Sequence, residues 1–391
     1  MRIHPHIAGM NRPTPDIMVA LSGGVDSATT AWLLQREGHA IAGMFMKNWE
    51  EDDPESGCSA EADAADARAV CEQLGIPFHG RNFSVEYWEG VFEHFLAELA
   101  AGRTPNPDVL CNREIKFKAF VDHALDLGAS EIATGHYARR RDNRDGSVSL
   151  LKGRDPGKDQ SYFLHALTQD QLRHARFPLG ELEKSKVRRL AEQAGLPVAK
   201  KKDSTGICFI GERRFDTFVD RYLRAEPGPI RAGDGTEIGR HSGLIHYTLG
   251  QRKGLDIGGL SDFPEGAWYV AAKDLAGNAL CAVQGSHHRL LMSDRLSAGQ
   301  LNWIDGRPPP RGLRLAAKVR YRQPDQACRI EQISDERLQL HFEKPQRAVT
   351  PGQSVVLYDG DHCLGGGVIE HCNAPVPAWM SSPVPTPATA P

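Results

Sequence analysis

One stretch constrains this chain more than any other. The apolar run Ile17-Met18-Val19-Ala20-Leu21 stops at Ser22-Gly23-Gly24-Val25-Asp26-Ser27, and a helix-like stretch, ATTAWLLQRE, follows up to Gly38. Such a pattern reads as a buried strand, a tight turn and a helix closed by glycine. Adjacent glycines permit backbone angles and close approach that side chains forbid. Free N–H groups at the helix start then point at an anion. Ser22 and Ser27 add hydroxyl donors, and Asp26 is placed to cap the helix or to hold Mg²⁺. The loop is neither a Walker A loop nor G-x-G-x-x-G, since it lacks those spacings and the Walker lysine. A bare Gly-Gly turn would be read as a strand-to-helix corner. The strand–SGGVDS–helix context favours a phosphate cradle.

The alternation continues. AIAGMFM is strand-like, 61–74 helical, 78–83 strand-like, 88–101 helical and 115–127 helical, and EIAT is a short strand ending at Gly135. Strands alternating with helices indicate βαβ units and a parallel sheet. Ligands in such sheets bind beyond the carboxyl ends of the strands. Met46 ends the second strand, where it can meet a base. Gly135 ends a later one, where it can admit a nucleotide closely. His136 reads as a structural or phosphate-proximal histidine. Residues 164–196 read as helical, and the glycine-rich 215–284 as a small mixed domain. After 287, short alternating segments separated by turns indicate a small antiparallel barrel or sandwich.

Length and composition bound the rest. The 391 residues suggest two or three domains. Apolar residues make up 40% and charged residues 25%, as in a globular protein. The net charge of −3 excludes a bulk polycation, yet residues 184–254 carry 15 basic and 8 acidic side chains. Arg311, Arg314, Lys318, Arg320 and Arg322 form a second basic stretch. Both suit phosphate contacts along a nucleic acid, although solvated faces would look the same. No run reaches the 18–20 apolar residues of a membrane span, and the proline-broken start lacks a signal-peptide core. The expectation is a cytoplasmic protein with no membrane partner. Both ends, 1–16 and the proline-rich 373–391, read as disordered.

Eight cysteines are scattered without a Cys-x-x-Cys pair, so neither a disulfide framework nor a zinc site is indicated. Two stand out. Cys111 follows Gly102-Arg103-Thr104-Pro105-Asn106-Pro107-Asp108, a rigid polar loop. It is expected at the start of a helix, where the dipole favours thiolate. Asp108, three residues earlier, is a candidate general acid or base. Cys208 lies in KKKDSTGICF, behind three lysines that could favour thiolate or contact phosphate. Two reactive thiols beside a phosphate loop suggest sulfur chemistry. If the loop adenylates a carbonyl oxygen, as the resemblance given below implies, that oxygen becomes a leaving group and a persulfide can deliver sulfur. The other six cysteines read as packing residues.

SGGVDS resembles the PP-loop of ATP pyrophosphatases, which adenylate a carbonyl oxygen. GMFMKNWEEDD, GRTPNPDVLCNREIKF, ATGHYARR, KDQSYFL, KKKDSTGICFIGER, HYTLGQRKGL, RYRQ and PGQSVVLYDGDHCLGGGVIE extend the likeness over residues 17–371. Together they resemble the bacterial tRNA-specific 2-thiouridylase family. The resemblance implies an α/β fold: an adenine-nucleotide alpha-hydrolase-like (PP-loop) parallel-sheet domain over 17–210, a small mixed central tRNA-contacting domain over 211–286, and a C-terminal antiparallel β-barrel over 287–372. It implies adenylation of the wobble uridine of tRNAs for Lys, Glu and Gln, and 2-thiouridine, AMP and pyrophosphate as products. It implies ATP at Ala20, Leu21, Ser22, Gly23, Gly24, Val25, Asp26, Ser27, Met46 and Gly135, with Mg²⁺. By the same likeness Cys111 is the nucleophile, Cys208 the persulfide carrier, and the two pair as a redox disulfide, with Asp108 as acid/base. Asn106, Pro107 and Asp108 match the target-base contact. Lys158, Asp159, Gln160, Arg320 and Tyr321 match tRNA contacts. The implied sulfur source is a relay protein fed by a cysteine desulfurase. The competing expectation is another ATP pyrophosphatase, an amide-forming synthetase acting on a small molecule, which would not need Cys208.

Overall fold

The computed structural model describes residues 14–50, 59–203, 215–259 and 262–380. Strands β1 (Ile17–Leu21), β2 (Ile41–Lys47), β3 (Phe78–Asn82) and β4 (Glu131–Ala133) join Ala175–Arg176 in a five-stranded, fully parallel sheet. The spatial order is β3-β2-β1-β4, then Ala175–Arg176. β1 is buried along its whole length, as expected of a central strand with both faces covered. Helices α1 (Val25–Arg36) and α2 (Ser59–Leu74) cover part of it. The chain runs outward from β1 to β3 and then returns to β4. The strand order therefore reverses between β1 and β4, which is where open parallel sheets bind ligands.

A four-stranded sheet follows, built from Gly228–Arg231, Glu237–His241, Trp268–Asp274 and Ala279–Gln284. The C-terminal part is antiparallel. Six strands from Met292–Trp303 to His362–Cys372 pair in turn, and those two also pair with each other, which closes a barrel. Closure leaves no free edge among these six strands.

Two sequence expectations need correction, and a third segment carried none. Residues 164–196 are not one helical stretch. Thr168 and Gln171 form a capping box that starts a new short helix, and Pro178 and Gly180 interrupt the chain again before the helix Lys184–Gln193. Between them Ala175–Arg176 pairs with β4 as the edge of the parallel sheet. Second, residues 373–380 are tied to the fold at a few points. The Asn373 side chain accepts from Ser293 Oγ at 2.7 Å, and Trp379 Nε1–H donates to the Ala232 carbonyl at 3.0 Å. Trp379 and Met380 supply apolar area that the surrounding prolines do not, and they lie against Cys281, Val283, Leu290 and Leu291. Third, Ala138–Asp142 and Val148–Lys152 form a hairpin that leaves the parallel sheet. Its second strand pairs with His362–Cys372 of the barrel, Leu150 opposite Cys363.

That hairpin joins the two ends of the chain in one core. Val148 and Leu150 are buried in the same cluster as Phe120, Val356 and Tyr358. Leu150→Ala is therefore expected to cost about 2–5 kcal/mol in denaturant unfolding. A cost under about 0.5 kcal/mol, as for surface changes, would show that the hairpin does not share the core.

Candidate functional site

The phosphate loop is held by its own hydroxyls and by close backbone contact. The Ser22 backbone N–H donates to Ser27 Oγ at 3.1 Å, and Ser27 Oγ–H donates to the Gly24 carbonyl at 3.1 Å. Gly24 is the N-cap of α1, with extended backbone. Gly23 has φ +72°, and a Cβ there would collide with the Asp63 carbonyl oxygen in the first turns of α2. A Cβ on Gly135 would lie 3.0 Å from both the Asp26 carbonyl carbon and the Ser27 nitrogen. The end of β4 thus rests directly on the first turn of α1. Met46, at the end of β2, is half-buried against the main core. Residues 20–27, Met46 and Gly135 therefore gather at the carboxyl edge of the sheet.

A charged cluster closes over this edge. Lys184, the first residue of the helix Lys184–Gln193, donates to both oxygens of Asp26 at 2.7 Å, and it lies 2.8 Å from Asp203. The Tyr137 hydroxyl donates to Asp26 at 2.8 Å. Asp203 also accepts from Lys158 at 2.8 Å and from Arg188 at 2.5 Å. Burial alone would raise the Asp203 carboxyl. The hydrogen bonds from Lys158 and Lys184 overcome it and hold the group at about 2. Burial, then the Asp26 carboxylate, pushes the Tyr137 phenol well up, so it acts as a neutral donor. His136 is lowered well below its ordinary value by burial and by Lys116, and its Nδ1 lies 2.8 Å from Thr134 Oγ1.

The loop before Cys111 is clamped from two sides. Lys273 Nζ of the middle sheet donates to the Gly102 carbonyl at 3.1 Å. Burial lowers that ammonium to about 8. Thr104 N–H donates to the Pro351 carbonyl at 2.9 Å, and Gln353 Nε2–H returns to the Thr104 carbonyl at 2.8 Å. Gly352 packs on Thr104 so closely that a Cβ would come within 2.9 Å of its backbone. Pro107 then starts a helix, Pro107–Leu110, which continues without a break through wide turns over Cys111–Ala119. Asn106 is its N-cap.

Cys111 is thus not at a helix start. It sits more than a turn inside, fully buried, and the dipole argument for a thiolate fails there. Asp108 precedes it by three residues on the same continuous helix, so the two share a face. Cys208 lies outside the described residues, and so does any pairing with Cys111. Of the lysines before it, Lys201 is bound by Asp63 at 2.6 Å and Asp66 at 2.5 Å, so its charge is already matched. Cys71, Cys281, Cys328 and Cys363 are buried, and burial pushes each thiol up to about 12. These four are buried packing groups, as expected from their settings.

The residues matched to tRNA contacts divide in two. Lys158 and Tyr321 are partly exposed, and the Tyr321 ring lies 4.4 Å from the Phe163 ring. Asp159, by contrast, is 6% exposed. Its carboxylate accepts from Gly153 and Ser161 N–H at 3.0 and 3.1 Å and meets Lys318 at 3.3 Å. Gln160 is bonded in both directions to the Tyr137 backbone. The Arg320 guanidinium bridges the Leu249 and Ala348 carbonyls and Thr350, tying the middle segment to the barrel. These three shape the surface that Lys158 and Tyr321 present. A cleft of about 700 Å³ opens beside them, lined by Arg154, Lys318, Tyr321 and Arg322 among others.

The chain matches the family model of the tRNA methyl transferase HUP domain over residues 15–212. It matches the tRNA methyl transferase PRC-barrel domain over 216–284 and the aminomethyltransferase beta-barrel domain over 293–369. It is 59% identical over 353 residues to the tRNA-specific 2-thiouridylase MnmA of Chromohalobacter salexigens, covering 90% of this chain and 92% of that one. The chain belongs to the tRNA-specific 2-thiouridylase family. The 2-thiouridylase of Stutzerimonas stutzeri is 61% identical over 354 residues (90% and 94% covered), and that of Pseudomonas aeruginosa PAO1 59% over 365 (93% and 97%). A solved 4-thiouridine synthetase–RNA complex with bound ATP overlaps weakly, with TM-score 0.33 and 15% identity over 53% of this chain and 49% of that one.

In this thiouridylase, Lys184, Asp203, Arg188 and Tyr137 were not legible as site residues. Each is an ordinary charged or aromatic residue in its own segment, and only the fold brings them to Asp26. Asp203 has a depressed pKa, so its contribution to stability is full above about 3.8 and disappears as the pH falls toward about 2. Melting temperatures of the wild type and Asp203→Asn should therefore differ most above pH 4 and converge below it. A constant difference from pH 6 to the acid limit would contradict this account.

Proposed function

We propose that the chain is a tRNA-specific 2-thiouridylase that consumes ATP to exchange the 2-oxygen of a tRNA uridine for sulfur. The carrying observation is 59–61% identity across nine-tenths of the chain to 2-thiouridylases. The PP-loop at the sheet's switch point supports it. The target is the wobble uridine of tRNAs for Lys, Glu and Gln. ATP lies on residues 20–27, Met46 and Gly135. The uridine O2 attacks the α-phosphorus, the bond to the β-phosphate oxygen breaks, and pyrophosphate leaves. Mg²⁺ accompanies the nucleotide. Asp26 is the loop carboxylate able to take it, and both its oxygens are engaged by Lys184 here.

Sulfur arrives as a persulfide on Cys208, supplied by a relay protein. Cys111 attacks the Cys208 sulfur, forming a disulfide and releasing the terminal sulfur as hydrosulfide at C2. AMP leaves, and an external thiol reduces the disulfide before the next cycle. Asp108, three residues earlier on the same helix, is the group we assign to take the Cys111 proton. Lys158 and Tyr321 face the RNA. The amide-forming alternative has no observation in its favour: the relatives above are thiouridylases. Among the described residues no helix is long and apolar enough to cross a membrane, and we place the protein in the cytoplasm.

Incubation with ATP, Mg²⁺, sulfide and unmodified tRNA, followed by nucleoside mass spectrometry, should yield 2-thiouridine. With persulfide as donor, Cys111→Ala and Cys208→Ala should each abolish product while tRNA binding persists. Product at the wild-type rate from either variant would refute the assigned roles. Asp26→Asn should cut pyrophosphate release at least tenfold, and unchanged release would remove Asp26 from the ATP site.

A further inference from the structure

One aromatic face stands apart from the surfaces assigned so far. Trp49 follows β2 and Trp88 follows β3, on the side of β1 away from β4. Their rings stack at 5.9 Å, with an interplanar angle of 24°. Trp49 is seated edge-on against Phe92 at 4.7 Å, and Tyr222 stands edge-on to Trp88 at 5.9 Å. Trp88 Nε1–H donates to Glu93 at 3.0 Å, which fixes its ring. The face is nevertheless open: Val85 is 64% exposed, Trp88 38% and Tyr222 37%. A cleft of about 410 Å³ runs across it, and among the described residues its charged lining is Glu50 and Glu89, with no cation. Rigid tryptophan and tyrosine rings that keep solvent exposure are the groups that anchor protein interfaces.

Charge narrows the partner. Residues 46–101, which supply all of the described lining except Tyr222, carry 13 acidic and 3 basic side chains. A surface built on that segment repels phosphate and attracts a cationic partner. Position narrows it further. The short helix Phe215–Val219 packs on the same rings, with Phe218 5.8 Å from Trp49, and Phe215 is seven residues past Cys208 in the chain. Seven residues span at most about 25 Å, so a protein seated on this face is within reach of Cys208. Persulfide sulfur passes directly from one thiol to the next, so its carrier must dock within such a distance.

We propose that this aromatic face docks the protein that hands persulfide sulfur to Cys208, and that the donor presents an apolar tip ringed by lysine or arginine. The inference rests on the reading of Cys208 as persulfide carrier and deepens it by placing the donor. In the transfer the Cys208 thiolate attacks the outer sulfur of the donor's persulfide. The bond between the two donor sulfurs breaks, the donor leaves as a thiolate, and the outer sulfur stays on Cys208 with its proton. No external oxidant or reductant is consumed. Opposite charge on the two faces steers the encounter, and the stacked rings supply the contact that holds it.

The test gives the full chain ATP, Mg²⁺, unmodified tRNA and one of two sulfur sources. Sulfide needs no docking. The other source is the organism's relay protein, charged by a cysteine desulfurase and cysteine. Trp88→Ala removes a ring, and Val85→Lys and Glu89→Lys place the wrong charge at exposed positions. These two keep the test open should Trp88→Ala fail to fold. Each variant should raise the KM for the relay protein about tenfold or more. The sulfide-driven rate and the tRNA affinity should stay within about twofold of wild type. Wild-type relay kinetics in all three variants would overturn the proposal. So would equal losses with both sulfur sources, which would make the face structural, or weakened tRNA binding with relay kinetics unchanged, which would make it an RNA surface. A wild type that used sulfide but not the charged relay protein would instead bring down the relay reading beneath the proposal.

Discussion

The structure turns on the contact between the end of β4 and the first turn of α1. Gly135 touches the Asp26 and Ser27 backbone at a distance that any side chain would enlarge. Gly23 does the same against α2 from the opposite side. Two missing Cβ atoms therefore let two strands and two helices meet at one point. That point is the place where strand order reverses, and the N–H groups of the α1 start open there. The cradle exists because the backbone can approach itself, and the charged groups are added around it.

A second layer of organisation comes from distant parts of the chain. The loop carrying Asn106, Pro107 and Asp108 is not stiffened by its prolines alone. Lys273 from the middle sheet holds one end, and Pro351, Gly352 and Gln353 of the barrel hold the other. The hairpin Ala138–Asp142/Val148–Lys152 likewise runs from the phosphate-loop segment into the barrel. The barrel is thus a structural support for the loop that carries Asp108. Asp159 and Arg320 show this at the residue level: one is buried and the other half-buried, both are bonded, and each adjoins a partly exposed neighbour.

Much of the parallel-sheet region was legible. IMVAL, AIAGMFM and the glycines after them carry period and punctuation, and these survive in any fold that buries them. The hairpin was not legible, because VSLLK alternates only weakly and its partner lies more than 200 residues away. The run 164–196 misled because helical composition extends across Pro178 and Gly180. The anchoring of 373–380 was missed because one tryptophan outweighs several prolines once a hydrophobic face is available. Cys111 was placed at a helix start because Pro107 was read as part of a loop, when it is the first residue of the helix.

What the sequence settled alone was local: a strand, a glycine turn with hydroxyls and an aspartate, alternating elements, and a barrel-like end. Those features depend on neighbours a few residues apart. Tertiary structure decided which charges meet. Lys184 is 158 residues from Asp26, Lys273 is 171 from Gly102, and Lys318 is 159 from Asp159. No periodicity encodes such pairs, since a charged residue looks alike on a solvated face and in a buried network. Only burial, which removes water as the alternative partner, makes those separations specific.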